Sequence, residues 1–443
     1  MSANNISRQL PVRPNLEQLK HQAKDLLRAI RRGDPSAIEE FKMFHPGSTS
    51  PAAPDKAKLA DAHLALARSY QLTSWPRLVQ ACKLIDAIWR DDIDAVRELV
   101  GKNPHLLHEM ARGTEKCNWG PPMSYAANLG RNEIIEMLHN LGAKDHMHAL
   151  ERATLQSRIE TARMLHAMMG SPRPPEDALD GPAYTLSASG TALMFEFGAQ
   201  VHDSSGHAPV HVVLESDSRK PSEKHQILEL YVQHGLELPD TPPMALHRGR
   251  IDLLEEHLRR DPGLLRRTFR HEEIYPPELG CHDEVLATHG TPLAGATLLH
   301  MCVDYDEIEV ARWLLERGMD VDARAAVDAE GFGGHTALFA TVVSQPNYWM
   351  NRRGENRFGT NLEAEQAPFT SLLLDPRWNG GANPNARASL RKQLHPGYVP
   401  ERDDGRMHEY RDVTPLSWGK RFHCQIFVSA PAMRLIAEAG GHE

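Results

Sequence analysis

The chain has 443 residues, 41% of them hydrophobic and 25% charged, with a formal net charge of −9. That is ample apolar material for a core, and acidic and basic residues are mixed, without the basic stripe that a polyanion partner requires, so nucleic-acid binding is not expected. Five sparse cysteines, Cys82, Cys117, Cys281, Cys302 and Cys424, argue against a disulfide framework, and no apolar run reaches either signal-peptide or membrane-spanning length, so a cytoplasmic protein with no membrane partner is expected.

In chain order, residues 15–46 carry a strong amphipathic helix pattern followed by a second helix. Gly47–Lys56 reads as a small-residue, proline-containing linker. Leu59–Ile85 reads as another helical pair with Trp75-Pro76 at its turn. Paired helical patterns continue at Ile85–Leu107, Met123–Asp145, Ala149–Met169 and Thr185–Val201. A further pair opens at Ala208 and closes over His225–Leu238, and another covers Met244–Leu265. The segment IDAVRELVGKNPHLL from Ile93 recurs as IDLLEEHLRRDPGLL from Ile251, which points to internal duplication.

The clearest unit starts at Thr297. Its first apolar stripe is Leu298, Leu299, Met301 and Cys302; a turn at Asp304–Asp306 leads to a second stripe of Ile308, Val310, Ala311, Leu314 and Leu315, and Gly318 ends the helix. The start Thr297-Leu298-Leu299-His300 and the exit Gly318-Met319-Asp320 closely resemble the ankyrin repeat, with leucine where that family usually has proline. Further copies open at His335 and Val413 and close at Gly381 and Gly440. The exit glycines Gly142, Gly198, Gly235, Gly318, Gly381 and Gly440 lie 37 to 83 residues apart, against a plain ankyrin period of about 33. Some intervals therefore hide a degenerate repeat and others an insertion.

The expected fold class is all-α: an ankyrin-type helical solenoid of about eight or nine repeat-like units. Its expected parts are a helical N-terminal cap (1–83), degenerate repeats (84–268), and C-terminal repeats with long inserted loops (269–443). The leader resembles the helical block found on many bacterial ankyrin proteins. Its expected role is to cover the apolar end of the stack.

Insertions in such a stack map onto loops, and here they fall at 269–293, 330–369 and 390–413. They hold aromatic, histidine and charged residues rather than Gly/Ser filler, which suits recognition. The resemblance implies a scaffold that binds a protein or peptide on its concave, loop-lined face. The expected binding residues are Tyr275, His282, His335, Tyr348, Trp349, Arg352, Arg353, Tyr398, Tyr410, Arg411 and Asp412. His300 and His211 sit in repeat starts, where an imidazole ties adjacent turns.

An alternative is a hydrolase-type enzyme acting on a small polar substrate such as a carbohydrate or ester. His271, Glu272, Glu273, His408 and Glu409 would then supply acid, base or metal ligands. No HExxH, nucleophile elbow, phosphate loop or GxGxxG fingerprint is present, so neither a metal nor a cofactor is named; convergence of His271, His282, Asp283 and His408 on a metal is left open.

Overall fold

The computed structural model describes residues 8–45, 56–113, 119–216, 218–288, 290–344, 367–395 and 405–443. Its contacts divide into two compact units, residues 1–173 and 174–443. The division falls inside the stretch expected to hold degenerate repeats.

In the first unit, side-chain caps set the helix starts. Asn15 accepts the Gln18 N–H and opens α1 (Leu16–Arg31), and Asp34 opens α2 (Pro35–Phe44). The α1 stripe Leu19, Ala23, Leu27 and Ile30 is buried at helical spacing. Leu27 and Ile30 share a core with Ala37 and with Ala62 of α3 (Leu59–Ser69). Ser74 caps α4 (Trp75–Trp89) and Asp92 caps α5 (Ile93–Lys102). Two further pairs follow: α6 (Pro122–Leu129) with α7 (Asn132–Asn140), and α8 (His146–Leu155) with α9 (Ile159–Met168). The first helices stack as α4, α6, α8, and α5 packs against α7. Each pair so buries its apolar stripe on the next, the packing that repeat arrays use.

The second unit continues the pairing. It holds α10 (Asp180–Thr185), α11 (Ala188–Glu196), α12 (Val210–Leu214), α13 (Pro221–Gln233), α14 (Pro242–His247) and α15 (Ile251–Arg260). The stretch expected as a loop at 269–293 contains two single-turn helices, α16 (His271–Ile274) and α17 (Glu284–Ala287). Then come α18 (Leu298–Tyr305), α19 (Ile308–Glu316), α20 (Ala337–Val342) and α21 (Pro368–Leu373). The last pair is α22 (Pro415–Arg421) and α23 (Ala430–Glu438). Helices α14, α18, α20 and α22 pack in succession. Gly318 ends α19 at φ +88°, a conformation that costs a side-chain-bearing residue but not glycine.

The fold is mostly helical rather than purely so. Residues 390–413, expected as loop, contribute an antiparallel hairpin of β1 (Ala388–Lys392) and β2 (His408–Val413), with Leu390 opposite Tyr410 and Lys392 opposite His408. Alternation is real here, since Ala388, Leu390 and Lys392 are all buried. A lysine in the inward phase hid it from pattern reading. Among the described residues no helix is long and apolar enough to cross a membrane.

Candidate functional site

The repeat starting at Thr297 builds its own turn. The Thr297 hydroxyl lies 2.9 Å from His300 Nδ1, and His300 Nε2 lies 3.0 Å from the carbonyl of His335. A ring nitrogen facing a carbonyl must donate, so Nε2 carries the proton and Nδ1 accepts. His335 repeats the device one unit on, with its Nε2 3.0 Å from the Pro292 carbonyl. His335 is thus a buried strut and does not line a recognition surface. Burial holds His300 near a pKa of about 4 and His335 near about 3, so both are neutral at physiological pH.

Beyond this turn the chain runs into a finger, closed by bridges between Arg324 and Thr336 and between Val327 and Gly333. The finger meets the β1–β2 hairpin through a bridge from Gly333 to Ser389. Gly333 has φ +120°, and a Cβ there would stand 2.0 Å from the Ala326 carbonyl oxygen, so only glycine lets the backbones approach this closely. Arg391 of β1 reaches across to Asp328 at 2.8 Å and also pairs with Glu330. The guanidinium carbons of Arg391 and Arg411 lie 5.0 and 4.3 Å from the Phe332 ring centroid, within cation–π range. At the edge of this platform Val327 is 61% exposed, and Met407 is also exposed. Glu409, Arg411 and Asp412 are exposed on β2; Arg411 pairs with Glu409, and Asp412 with Arg387.

Tyr410, the inward neighbour on β2, is buried, with its ring edge-on to Trp418 at 4.8 Å and its hydroxyl 2.6 Å from His423 Nδ1. Its period-two position turns it away from solvent, so it anchors the hairpin and does not present a contact. His408 stacks on His423 at 3.9 Å.

The 269–288 segment folds against a buried polar cluster. Tyr275 is 1% exposed, packed beside His247 and Tyr305; it seats the segment and faces no partner. Below it, Arg219 Nη2 pairs with Asp304 Oδ2 at 3.0 Å, with both side chains buried. Lys224 Nζ lies 2.8 Å from His247 Nδ1 and 4.0 Å from the Tyr305 ring centroid. Since His247 Nε2 faces the Ile274 carbonyl at 2.9 Å, its Nδ1 is the acceptor and Lys224 the donor. Burial, and next the nearby Arg219 charge, bring Lys224 down to about 7. The Tyr275 and Tyr305 hydroxyls are buried beside each other, and neither makes a hydrogen bond of good geometry among the described residues. Perturbed groups mark functional sites and structural ion-pair networks alike. Here they brace α13, α14, α18 and the inserted segment against one another.

Sequence reasoning missed Arg219 and Lys224. One signal was available: Lys224, Ile227, Leu228 and Tyr231 form a buried stripe on α13 with the lysine at its head.

His282 is exposed and held to Glu215, with Nδ1 2.7 Å from Oε2. His271 Nε2 lies 2.8 Å from the His282 carbonyl, Glu273 pairs with Arg267 at 2.8 Å, and Glu272 is exposed. No hydrogen bond or ion pair among the described residues joins this group to His408 or Glu409. Among them, too, no group of three or more His, Cys, Asp or Glu side chains is placed to hold a metal ion. The three inserts do touch: Lys392 Nζ donates to Thr288 Oγ1 at 2.7 Å, the Thr291 N–H donates to the Val343 carbonyl at 3.0 Å, and Arg391 pairs with Glu330. Tyr348, Trp349, Arg352, Arg353 and Tyr398 lie outside the described residues.

The ankyrin repeat family matches residues 294–326, so the chain carries an ankyrin repeat there. Among solved structures the human ASB11 ankyrin repeat domain is similar, at 19% identity over 49% of this chain and 90% of that one, with a TM-score of 0.26. No curated protein matches the chain.

Proposed function

We propose that the chain is a binding scaffold of the ankyrin kind, and that the platform formed by the 324–336 finger and the β1–β2 hairpin recognises a protein or peptide. One observation carries this reading. Arg391 ties the hairpin to Asp328 and Glu330 while Val327 stands 61% exposed beside it. An apolar side chain framed by fixed charges of both signs is suited to recognition, because little ordering entropy remains to be lost on binding. Arg411, Asp412 and Glu409, exposed on β2, supply its polar rim. Cys82, Cys281 and Cys302 are free thiols, in keeping with a reducing, cytoplasmic location.

The test is comparative affinity capture with the full chain and a folded Val327→Glu/Arg411→Glu variant. A protein held stoichiometrically by the wild type, lost by the variant, and bound again when both are purified supports the reading. Equal capture by both removes it.

A further inference from the structure

The first unit contains a cavity of about 550 Å³ at the start of α4, between residues 71–80 and 105–113. That volume lies within the range of small-molecule sites. Leu72, Pro76 and Met110 give it an apolar wall, and Gln80, Arg77 and Glu109 give it polar groups. Arg77 is nine-tenths buried. Its Nε and Nη2 both reach a single oxygen, Glu109 Oε2, at 2.8 Å. Its Nη1 is buried with no hydrogen-bond partner among the described residues, which normally costs a folded protein free energy. Glu109 is half-exposed, and its second oxygen has no partner among the described residues. Gln80 is turned toward Asn103, with its Nε2 2.8 Å from Oδ1.

The pair is thus half-used on both sides. A simple anion would satisfy Arg77 and crowd Glu109; a simple cation would do the reverse. A ligand with both charges on adjacent atoms satisfies both. We propose that this cavity binds a free α-amino acid with an apolar side chain. Its carboxylate is taken by Arg77 after a small rotation of the guanidinium, its ammonium by Glu109, and its side chain lies along Leu72, Pro76 and Met110. An arginine fork matches a carboxylate, and charge-assisted hydrogen bonds are the strong ones. This site belongs to the first unit, and the proposal does not rest on the reading of the 324–336 finger and its hairpin.

The experiment is calorimetric titration of the full chain with L-leucine, L-methionine and L-phenylalanine. N-acetyl-L-leucine, which lacks the ammonium, and L-leucinamide, which lacks the carboxylate, serve as the diagnostic arms. At least one amino acid is expected to bind, with both diagnostic compounds at least tenfold weaker. Glu109→Gln should weaken the amino acid at least tenfold and should not weaken N-acetyl-L-leucine, which no longer meets a like charge. Met110→Trp, which fills the cavity, should abolish binding with helical circular dichroism retained, and it decides the matter if Glu109→Gln fails to fold. The proposal is overturned if no amino acid binds, if a diagnostic compound binds equally well, or if folded Met110→Trp keeps the affinity.

Discussion

His300 Nε2 donates to the carbonyl of His335, and His335 Nε2 donates in turn to the carbonyl of Pro292. Both rings are buried, so protonating either would place an uncompensated charge in the core. Each folded-state pKa, about 4 and about 3, lies below the ordinary value of 6.5. The unfolded chain therefore binds more protons as pH drops below about 6.5. The stability the relay provides is complete above that pH and is lost progressively as pH falls toward 4 and then 3. At about 1.4 kcal/mol per pKa unit the loss is on the order of several kcal/mol. Asp306, which burial pushes up to about 6, offsets part of it. Urea midpoints measured from pH 7 to pH 4 should fall steadily. A His335→Asn variant should start lower and fall less.

Lys224 gives the opposite half of the pH profile. Its folded-state pKa of about 7 lies below the ordinary 10.5, so between those values the unfolded chain again holds more protons. Stability should rise as pH increases from 7 toward 10. Lys224→Met removes the buried charge and should flatten that rise. Melting temperatures of the two proteins at pH 7 and pH 9.5 check this, and an equal rise in both would contradict it.

Tyr275 should be valued for its ring and not for its hydroxyl. The hydroxyl is buried beside that of Tyr305 and makes no well-formed hydrogen bond among the described residues, so Tyr275→Phe should change stability by less than about 1 kcal/mol or raise it slightly. Tyr275→Ala leaves a cavity against His247 and Tyr305, and should cost about 3–5 kcal/mol. Chemical denaturation of the two variants separates the roles.

Gly333 is the point where finger and hairpin backbones meet. Gly333→Ala places a methyl group against the Ala326 carbonyl oxygen at a positive φ, and should cost about 1–3 kcal/mol. The loss should be local: amide exchange should quicken in 324–336 and 388–392 while α18 and α19 stay protected.

Much of the repeat architecture was legible because its signals are local. The two stripes after Thr297 became α18 and α19, and the weak patterns at Ala149–Met169 and Met244–Leu265 became α8 with α9 and α14 with α15. What escaped depends on contacts distant in sequence. Tyr275 in a charged stretch looks like a surface aromatic until Tyr305 and His247 close over it. The β1 alternation is masked by Lys392, whose buried ammonium donates a hydrogen bond to Thr288, more than a hundred residues earlier. His335, expected among the binding residues, is assigned to the turn by its bond to the Pro292 carbonyl. Glu409, Arg411 and Asp412 are exposed on the platform, whereas Arg391 and Phe332, which organise it, went unnamed because each acts through the other.

The most direct measurement of the recognition surface is site-specific photo-crosslinking in the full chain, with the photoreactive residue at Val327 and, as a control, at Tyr184, another exposed apolar position. The account predicts a discrete heavier species from position 327 that disappears when Arg411→Glu is added, and none from position 184. No adduct from position 327, or the same adducts from both positions, would contradict it.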